Sequence, residues 1–366
     1  MNRPDWMIRR RVLSLAVVVA LAAVVAYSLG TLVSASSTSA AAASAGTSSA
    51  ATTAPAGAPS ATVTPVATRL ASPAGIVGID VPYKSATPTE YTGLSYTVPL
   101  DCGILGTCTL PVDVYVPSGP GPYATVVLLR GGPGGVGGRS YVASWAYQLA
   151  ADGILVYSID IRDLAEEGGG YPQAMQDTAC AIRYARATAP SYNGDGSTVT
   201  LVGHSFGGYI GAIVALNDVQ YTGGCLYGGS GRPDAFVGLA GSYDVAGGGN
   251  ASDFTAFFGG DATATASVRA IATPYAYATG SAIPVRLSAG TADYTVDPIA
   301  SADLYNFLLA RDWNVGLHMV VDANHMTVLD PSGGEAAVFG AAQLAIDASR
   351  AQAVDGAFQR AQVVQH

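Results

Sequence analysis

Ser205 lies between two glycines in the run Gly203-His204-Ser205-Phe206-Gly207, with a further small residue at Gly208. The residues before it, Ser197 to Val202, are mostly β-branched, and those after it as far as Leu216 are largely apolar. A strand that turns sharply into a helix leaves no room for a Cβ two residues either side of the turning residue, so glycine is needed at both places. Such a turn presents Oγ and brings a helix N-terminus beneath it. The free N–H groups there face any negative charge that develops on a reacting carbonyl. The pattern fits a nucleophilic serine; a chance G-x-S-x-G is the alternative in a chain with 45 glycines among 366 residues.

A serine hydroxyl needs a base to become nucleophilic at neutral pH. Only four histidines are available: His204, His318, His325 and His366. His366 is the last residue, His318 falls inside a predicted strand and His204 adjoins the serine inside the turn. His325 lies in a loop after a strand, which makes it the expected base. Asp293, in the loop after another strand, is the expected partner that fixes the imidazole tautomer and stabilises the imidazolium. Its rivals are Asp297, which precedes Pro298 and reads as a turn or helix-start residue, and Asp322, close to the base in sequence.

An oxyanion needs donors as well. One is expected from the N–H of Phe206, directly after the serine. Others are expected from the loop Gly131-Gly132-Pro133-Gly134-Gly135, with Gly132 and Gly134 as candidates, Gly131 as a further one, and no donor from proline. A phosphate cradle is the alternative for such a glycine run, but the Lys-Ser/Thr that should follow is absent. Arg130 and Arg162-Asp163 read either as an ion pair bracing the rim or as ordinary rim charges. Trp145 and the Phe254, Phe257 and Phe258 group read either as lining of an acyl pocket or as core.

The elements that must position these groups alternate along the chain. Extended segments at 91–100 and 109–116 read as an antiparallel edge hairpin. Strands are predicted at 124–129, 154–161, 198–202, 235–239, 284–287 and 315–321, and helices at 141–151, 171–187, 208–217, 300–311 and 335–348. Residues 244–281 read as a small helical or irregular insert. This alternation predicts an α/β fold, a mostly parallel central sheet with helices on both faces. Ligands in such sheets bind at the carboxyl ends of strands, where Ser205, Asp293 and His325 all fall.

Composition narrows the partners. Residues 1–11 carry four arginines and one aspartate; without them the formal charge moves from −9 to −12. A domain this acidic, with Lys84 as its one lysine, has no phosphate-binding footprint, so nucleic acid is excluded as an expected partner. The uncharged run 12–33 predicts an export signal or membrane anchor over 1–35, with a tether to the outer face of the cytoplasmic membrane or secretion as the outcome. An Ala/Ser/Thr/Pro linker is predicted over 36–74, the α/β domain over 75–350 and a tail over 351–366. Cys102 and Cys108 enclose a short loop and are expected to pair, leaving Cys180 for Cys225; a zinc site lacks the histidines and the close cysteine spacing it would need.

Together these residues resemble the α/β-hydrolase family, and within it the esterase/lipase branch of hormone-sensitive-lipase-like carboxylesterases and kynurenine-formamidase-like enzymes. The loop 129–135 is similar to that branch's His-Gly-Gly-Gly segment, with Arg130 in place of histidine and a proline among the glycines. Its Gly-Gly-Pro-Gly form is also similar to proline iminopeptidases. Asp160-Ile-Arg162-Asp-Leu-Ala165-Glu166, Tyr171-Pro172-Gln-Ala-Met-Gln-Asp177, the segment 238–244 and Gly290-Thr-Ala-Asp293 resemble further segments in the same order. The resemblance implies hydrolysis of carboxylic esters on a small-molecule substrate, or of amides, through an acyl-enzyme and without cofactor or metal. Aminopeptidase action is the alternative, requiring an acidic subsite for which Glu166, Glu167 and Asp253 are candidates. A non-catalytic binding protein on the same scaffold is the alternative of another class.

Overall fold

The computed structural model describes residues 87–132, 138–245, 251–278 and 282–329. Eight strands in them form one sheet: β1 Thr89–Ser95, β2 Pro111–Val116, β3 Tyr123–Leu129, β4 Ile154–Ile159, β5 Gly194–His204, β6 Ala235–Leu239, β7 Val285–Gly290 and β8 Val315–Val320. Their order is β1-β2-β4-β3-β5-β6-β7-β8. β2 is antiparallel to both β1 and β4, and every other pairing is parallel. Helices α1 Ala143–Ala151, α2 Gln173–Thr188, α3 Phe206–Leu216 and α6 Ile299–Leu309 fill the connections, with α4 Ala251–Phe258 and α5 Ala266–Ile271 between β6 and β7.

Strand side chains alternate between the faces with period two. Val127 and Leu129 of β3 join Leu155, Tyr157 and Ile159 of β4 on the face covered by α2 and α3. Val126, Leu128, Ile154 and Val156 turn the other way and pack against Trp145, Ala146 and Leu149 of α1. Both faces are therefore dry, which is why the central strands read as unbroken apolar runs. All eleven residues of α3 are buried, since it packs against both the sheet and its neighbours. This is the α/β-hydrolase fold.

Several boundaries differ from the sequence reading. The extended segment expected over 91–100 leaves β2 after Ser95. Val98 donates its N–H to the carbonyl of Gly224, and Pro99, which has no N–H, ends the ladder. Leu100 and Asp101 instead pair with Thr107 and Cys108 in a separate two-stranded ribbon closed by the Cys102–Cys108 disulfide. Cys180 of α2 bonds Cys225, as expected by elimination. β5 runs to His204, and α3 begins immediately after the serine rather than at residue 208.

The expected membrane tether is corrected. Crossing a hydrocarbon core takes about 20 apolar residues in a helix. Among the described residues no helix is long and apolar enough to do so. The longest, α2, has 16 residues and carries Asp177, Arg183 and Arg186. The reading of residues 1–35 as signal or anchor, the linker over 36–74 and the helix over 335–348 lie outside the described residues.

Candidate active site

The turn that carries Ser205 is dictated by what surrounds it. Ser205 caps α3 with φ 54° and ψ −118°, a backbone region costly for a residue with a side chain. The turn is held from within. Its N–H donates to Leu239 at 2.8 Å, and its carbonyl accepts from Gly208 at 3.0 Å, Tyr209 at 3.3 Å and Ser242 at 3.3 Å. A Cβ on Gly203 would stand 2.3 Å from the carbonyl oxygen of Gly207, and one on Gly207 would stand 2.3 Å from that of Arg130. The two glycines are thus required by close backbone approach, as their spacing about the serine predicts.

Asp293 follows β7 and His325 follows β8, at the same edge as Ser205. His325 Nε2 lies 2.9 Å from Ser205 Oγ, and its Nδ1 lies 2.8 Å from Asp293 Oδ2. The other carboxylate oxygen of Asp293 accepts the N–H groups of Thr295 at 2.8 Å and Val296 at 3.0 Å, which fixes the carboxylate plane. All three side chains belong to buried residues. With Nδ1–H donated to the carboxylate, Nε2 is left free to accept the serine proton.

The rivals are elsewhere. Asp297 accepts the N–H of Ile299 at 2.9 Å and starts α6. Asp322 is exposed in a left-handed turn at φ 61°. His318 is exposed on β8.

The glycine loop passes directly over the serine, because a Cβ on Gly131 would stand 2.8 Å from Ser205 Cβ. Phe206 is the first residue of α3, so its N–H lies among those that a helix leaves without an internal partner. Gly132 adopts φ 71°, the left-handed region that glycine tolerates. Gly134 lies outside the described residues. Arg130 supports the loop from behind: its guanidinium donates to the carbonyls of Gly131 and Gly132 and to Asp163 Oδ2 at 3.1 Å, with Asp160 3.8 Å from Nε. The expected ion pair thus forms between Arg130 and Asp163, while Arg162 binds Asp177 through a two-pronged contact at 2.8 and 3.1 Å.

Trp145, Phe254 and Phe257 are core, each at most 2 % exposed. Phe254 and Phe257 pack on the rings of Phe206 and Tyr209 and so seat the N-terminal turn of α3. A cavity of about 510 Å³ is lined by Ser242 and Val296, whose N–H groups bond Ser205 and Asp293, and by Ile299, Asp244, Asp297 and Asp303. Tyr275 on its wall has its hydroxyl pKa pushed up to about 12 by burial and by Asp303 and Asp244. Neither Glu166 nor Glu167 lines that space. Among the described residues no cluster of His, Cys, Asp or Glu could hold a metal ion.

One buried group escaped the sequence reading. His204 is fully buried, and its Nε2 lies 2.9 Å from the carbonyl oxygen of His325. Its place beside the serine was legible, but its partner is 121 residues away and left no local signal.

The BD-FAE family model matches residues 112–308, which spans β2 to α6 and more than half of the chain. The chain belongs to the BD-FAE family, a family of α/β-hydrolase-fold esterases. Esterase LipC of Mycobacterium tuberculosis is 33 % identical to this BD-FAE member over 135 residues, covering 35 % of this chain and 32 % of LipC. A probable isoprenylcysteine alpha-carbonyl methylesterase of Oryza sativa subsp. japonica is 28 % identical over 137 residues, 37 % of this chain and 33 % of the relative. The chain therefore spans about a third of the length of these curated relatives. Among solved structures, a truncated carbohydrate esterase from gut microbiota superposes with a TM-score of 0.59 at 20 % identity, over 72 % of this chain and 98 % of that one. A Pyrobaculum calidifontis esterase superposes at 0.56 with 16 % identity, over 73 % and 87 %. At such identities these two likenesses speak to the fold.

Proposed function

We propose that this BD-FAE member is a serine hydrolase that cleaves carboxylic esters of small molecules through an acyl-enzyme, with Ser205 as nucleophile, His325 as base and Asp293 as its orienting carboxylate. The observation that carries the reading is the imidazole of His325 bridging Ser205 Oγ at 2.9 Å and Asp293 Oδ2 at 2.8 Å. Oγ attacks the ester carbonyl carbon as its proton passes to Nε2 of His325. The tetrahedral oxyanion is met by N–H groups from Phe206 and Gly132, with Gly134 as a further donor. Collapse breaks the bond to the alcohol oxygen, which takes the proton from His325. Water then enters by the same path and releases the acid. Within the family, the segments 160–166, 171–177 and 238–244 favour the branch of hormone-sensitive-lipase-like and kynurenine-formamidase-like enzymes.

The test compares wild type with Ser205→Ala on p-nitrophenyl esters of increasing chain length, beside labelling by a fluorophosphonate probe. Ester turnover falls by at least about 10³-fold in the variant, and labelling disappears. Equal rates in the two proteins would remove Ser205 from the reaction.

A second reading, hydrolysis of aminoacyl derivatives, is favoured by one observation: three of the cavity's lining residues are aspartates. An α-ammonium group would find compensation there. Aminoacyl anilides in the same panel separate the readings, because an esterase without an ammonium subsite leaves them intact.

A further inference from the structure

His204 is buried at the centre of the site, and the mechanism above gives it no part. It is the last residue of β5, so its side chain is directed by the same strand end that presents Ser205. A buried ring nitrogen requires a partner. Nε2 has one, the carbonyl of His325 at 2.9 Å. A carbonyl only accepts, so Nε2 carries the proton and Nδ1 is left with its lone pair. Nδ1 has no hydrogen-bond partner among the described residues.

Three further contacts define what this ring does. Its centroid is 4.7 Å from that of His325 and 6.1 Å from that of Tyr141. A Cβ on Gly131 would come within 2.9 Å of Nδ1, so the glycine loop rests against the same ring. Burial, and secondarily the neighbouring His325, push its pKa down to about 3. It therefore stays uncharged beside the imidazolium that forms on His325, where a second cation would be repelled.

The loop that bears His325 needs such a tether. It follows β8, which among the described residues is an edge strand paired with β7 alone. Apart from those of the His325 ring, its other bonds run within the loop, to the loop after β7 or to Tyr141: Asn324 accepts from Met326 and Thr327 at 2.9 Å each, Ala323 accepts from Ala292 at 3.0 Å, Asp322 donates to Thr291 at 2.9 Å and Met326 Sδ accepts from Tyr141 at 2.7 Å. The bond from His204 runs from this peripheral loop to β5, which has strands on both sides.

We propose that His204 is a positioning residue whose neutral imidazole, protonated at Nε2, pins the carbonyl of His325 and thereby holds that ring between Ser205 and Asp293. The proposal rests on the reading of Ser205 and His325 as nucleophile and base. It assigns His204 no contact with substrate.

The experiment uses the full chain and p-nitrophenyl acetate. His204→Phe keeps a ring but removes the donor, whereas His204→Gln restores an N–H at a similar reach. Misplacing a base by about 1 Å costs on the order of 10²-fold, so kcat of His204→Phe falls by about 10- to 100-fold while KM stays within about twofold. His204→Gln recovers a substantial part of kcat. In the wild type, nitrogen NMR of His204 shows a protonated Nε2 and a bare Nδ1 between about pH 5 and 8. The inference is overturned if His204→Phe keeps kcat within about threefold, if both variants lose equally, or if the proton resides on Nδ1. Should neither variant fold, the wild-type tautomer decides. Ser205→Ala in the same assay separates the failures: activity retained there removes the hydrolase reading itself, whatever His204 does.

Discussion

Arg130 and Asp163 are paired at 3.1 Å behind the glycine loop, and both side chains are almost wholly excluded from solvent. The same guanidinium donates to the carbonyls of Gly131 and Gly132, so one buried cation orients two consecutive peptide groups over Ser205. Arg130→Lys keeps a charge for Asp163 but not the planar fork that reaches both carbonyls. We expect it to fold and to lose about 10- to 100-fold in kcat with little change in KM, because the loss falls on oxyanion stabilisation. Arg130→Met leaves Asp163 buried without this partner and should also destabilise by about 3 kcal/mol or more. Steady-state kinetics together with denaturant titration check both.

The carboxylate choice is testable by a pair of substitutions. Asp293→Asn removes the acceptor that fixes the tautomer of His325 and should lower kcat by about 10⁴-fold while the fold persists. Asp297→Asn alters the start of α6 and the cavity wall but not the partner of His325, and on p-nitrophenyl acetate, which carries no ammonium group, it should stay within about threefold. Reversal of those two results would reassign the acid.

Gly207→Ala asks how tightly the serine turn is packed. The added methyl would stand 2.3 Å from the carbonyl oxygen of Arg130 and 2.9 Å from Leu129 Cβ, both of which belong to the sheet end and cannot swing away. We expect a loss of about 1–3 kcal/mol in denaturant unfolding, accompanied by a drop in kcat as the turn shifts.

Acid should expose the burial of His204. Its pKa of about 3 in the folded chain lies below the ordinary 6.5 of an exposed histidine. Between those values the unfolded chain binds a proton that the folded chain refuses. The associated stability is complete above about pH 6.5 and is lost as pH falls toward 3, by up to about 1.4 kcal/mol per pH unit. The neighbours whose charges act on this ring are His325 and Asp293. Asp177, whose carboxyl is raised by burial against the opposing pull of Arg162, acts in the opposite sense at acid pH and is common to both proteins. The difference in slope between wild type and His204→Phe, read by urea titration from pH 7 to 4, isolates the histidine. Parallel slopes would mean that His204 titrates normally.

Local spacing alone carried much of this. The alternation of apolar strands and helices yields the doubly covered sheet because a strand buried on both faces has to be apolar throughout, and that is visible residue by residue from Val126 to Leu129. The glycines around Ser205 announce the turn because steric exclusion acts within two residues. The order Ser205, Asp293, His325 follows from which loops succeed which strands. The tertiary structure decided what depends on contacts across the fold. Asp293 rather than Asp297 meets His325 because hydrogen bonds from Thr295 and Val296 turn its carboxylate inward. Arg130 pairs with Asp163, Arg162 with Asp177, and His204 with a carbonyl 121 residues away. A side chain's type limits which bonds it can make; which of them it makes is set by what the packed sheet brings within 3 Å.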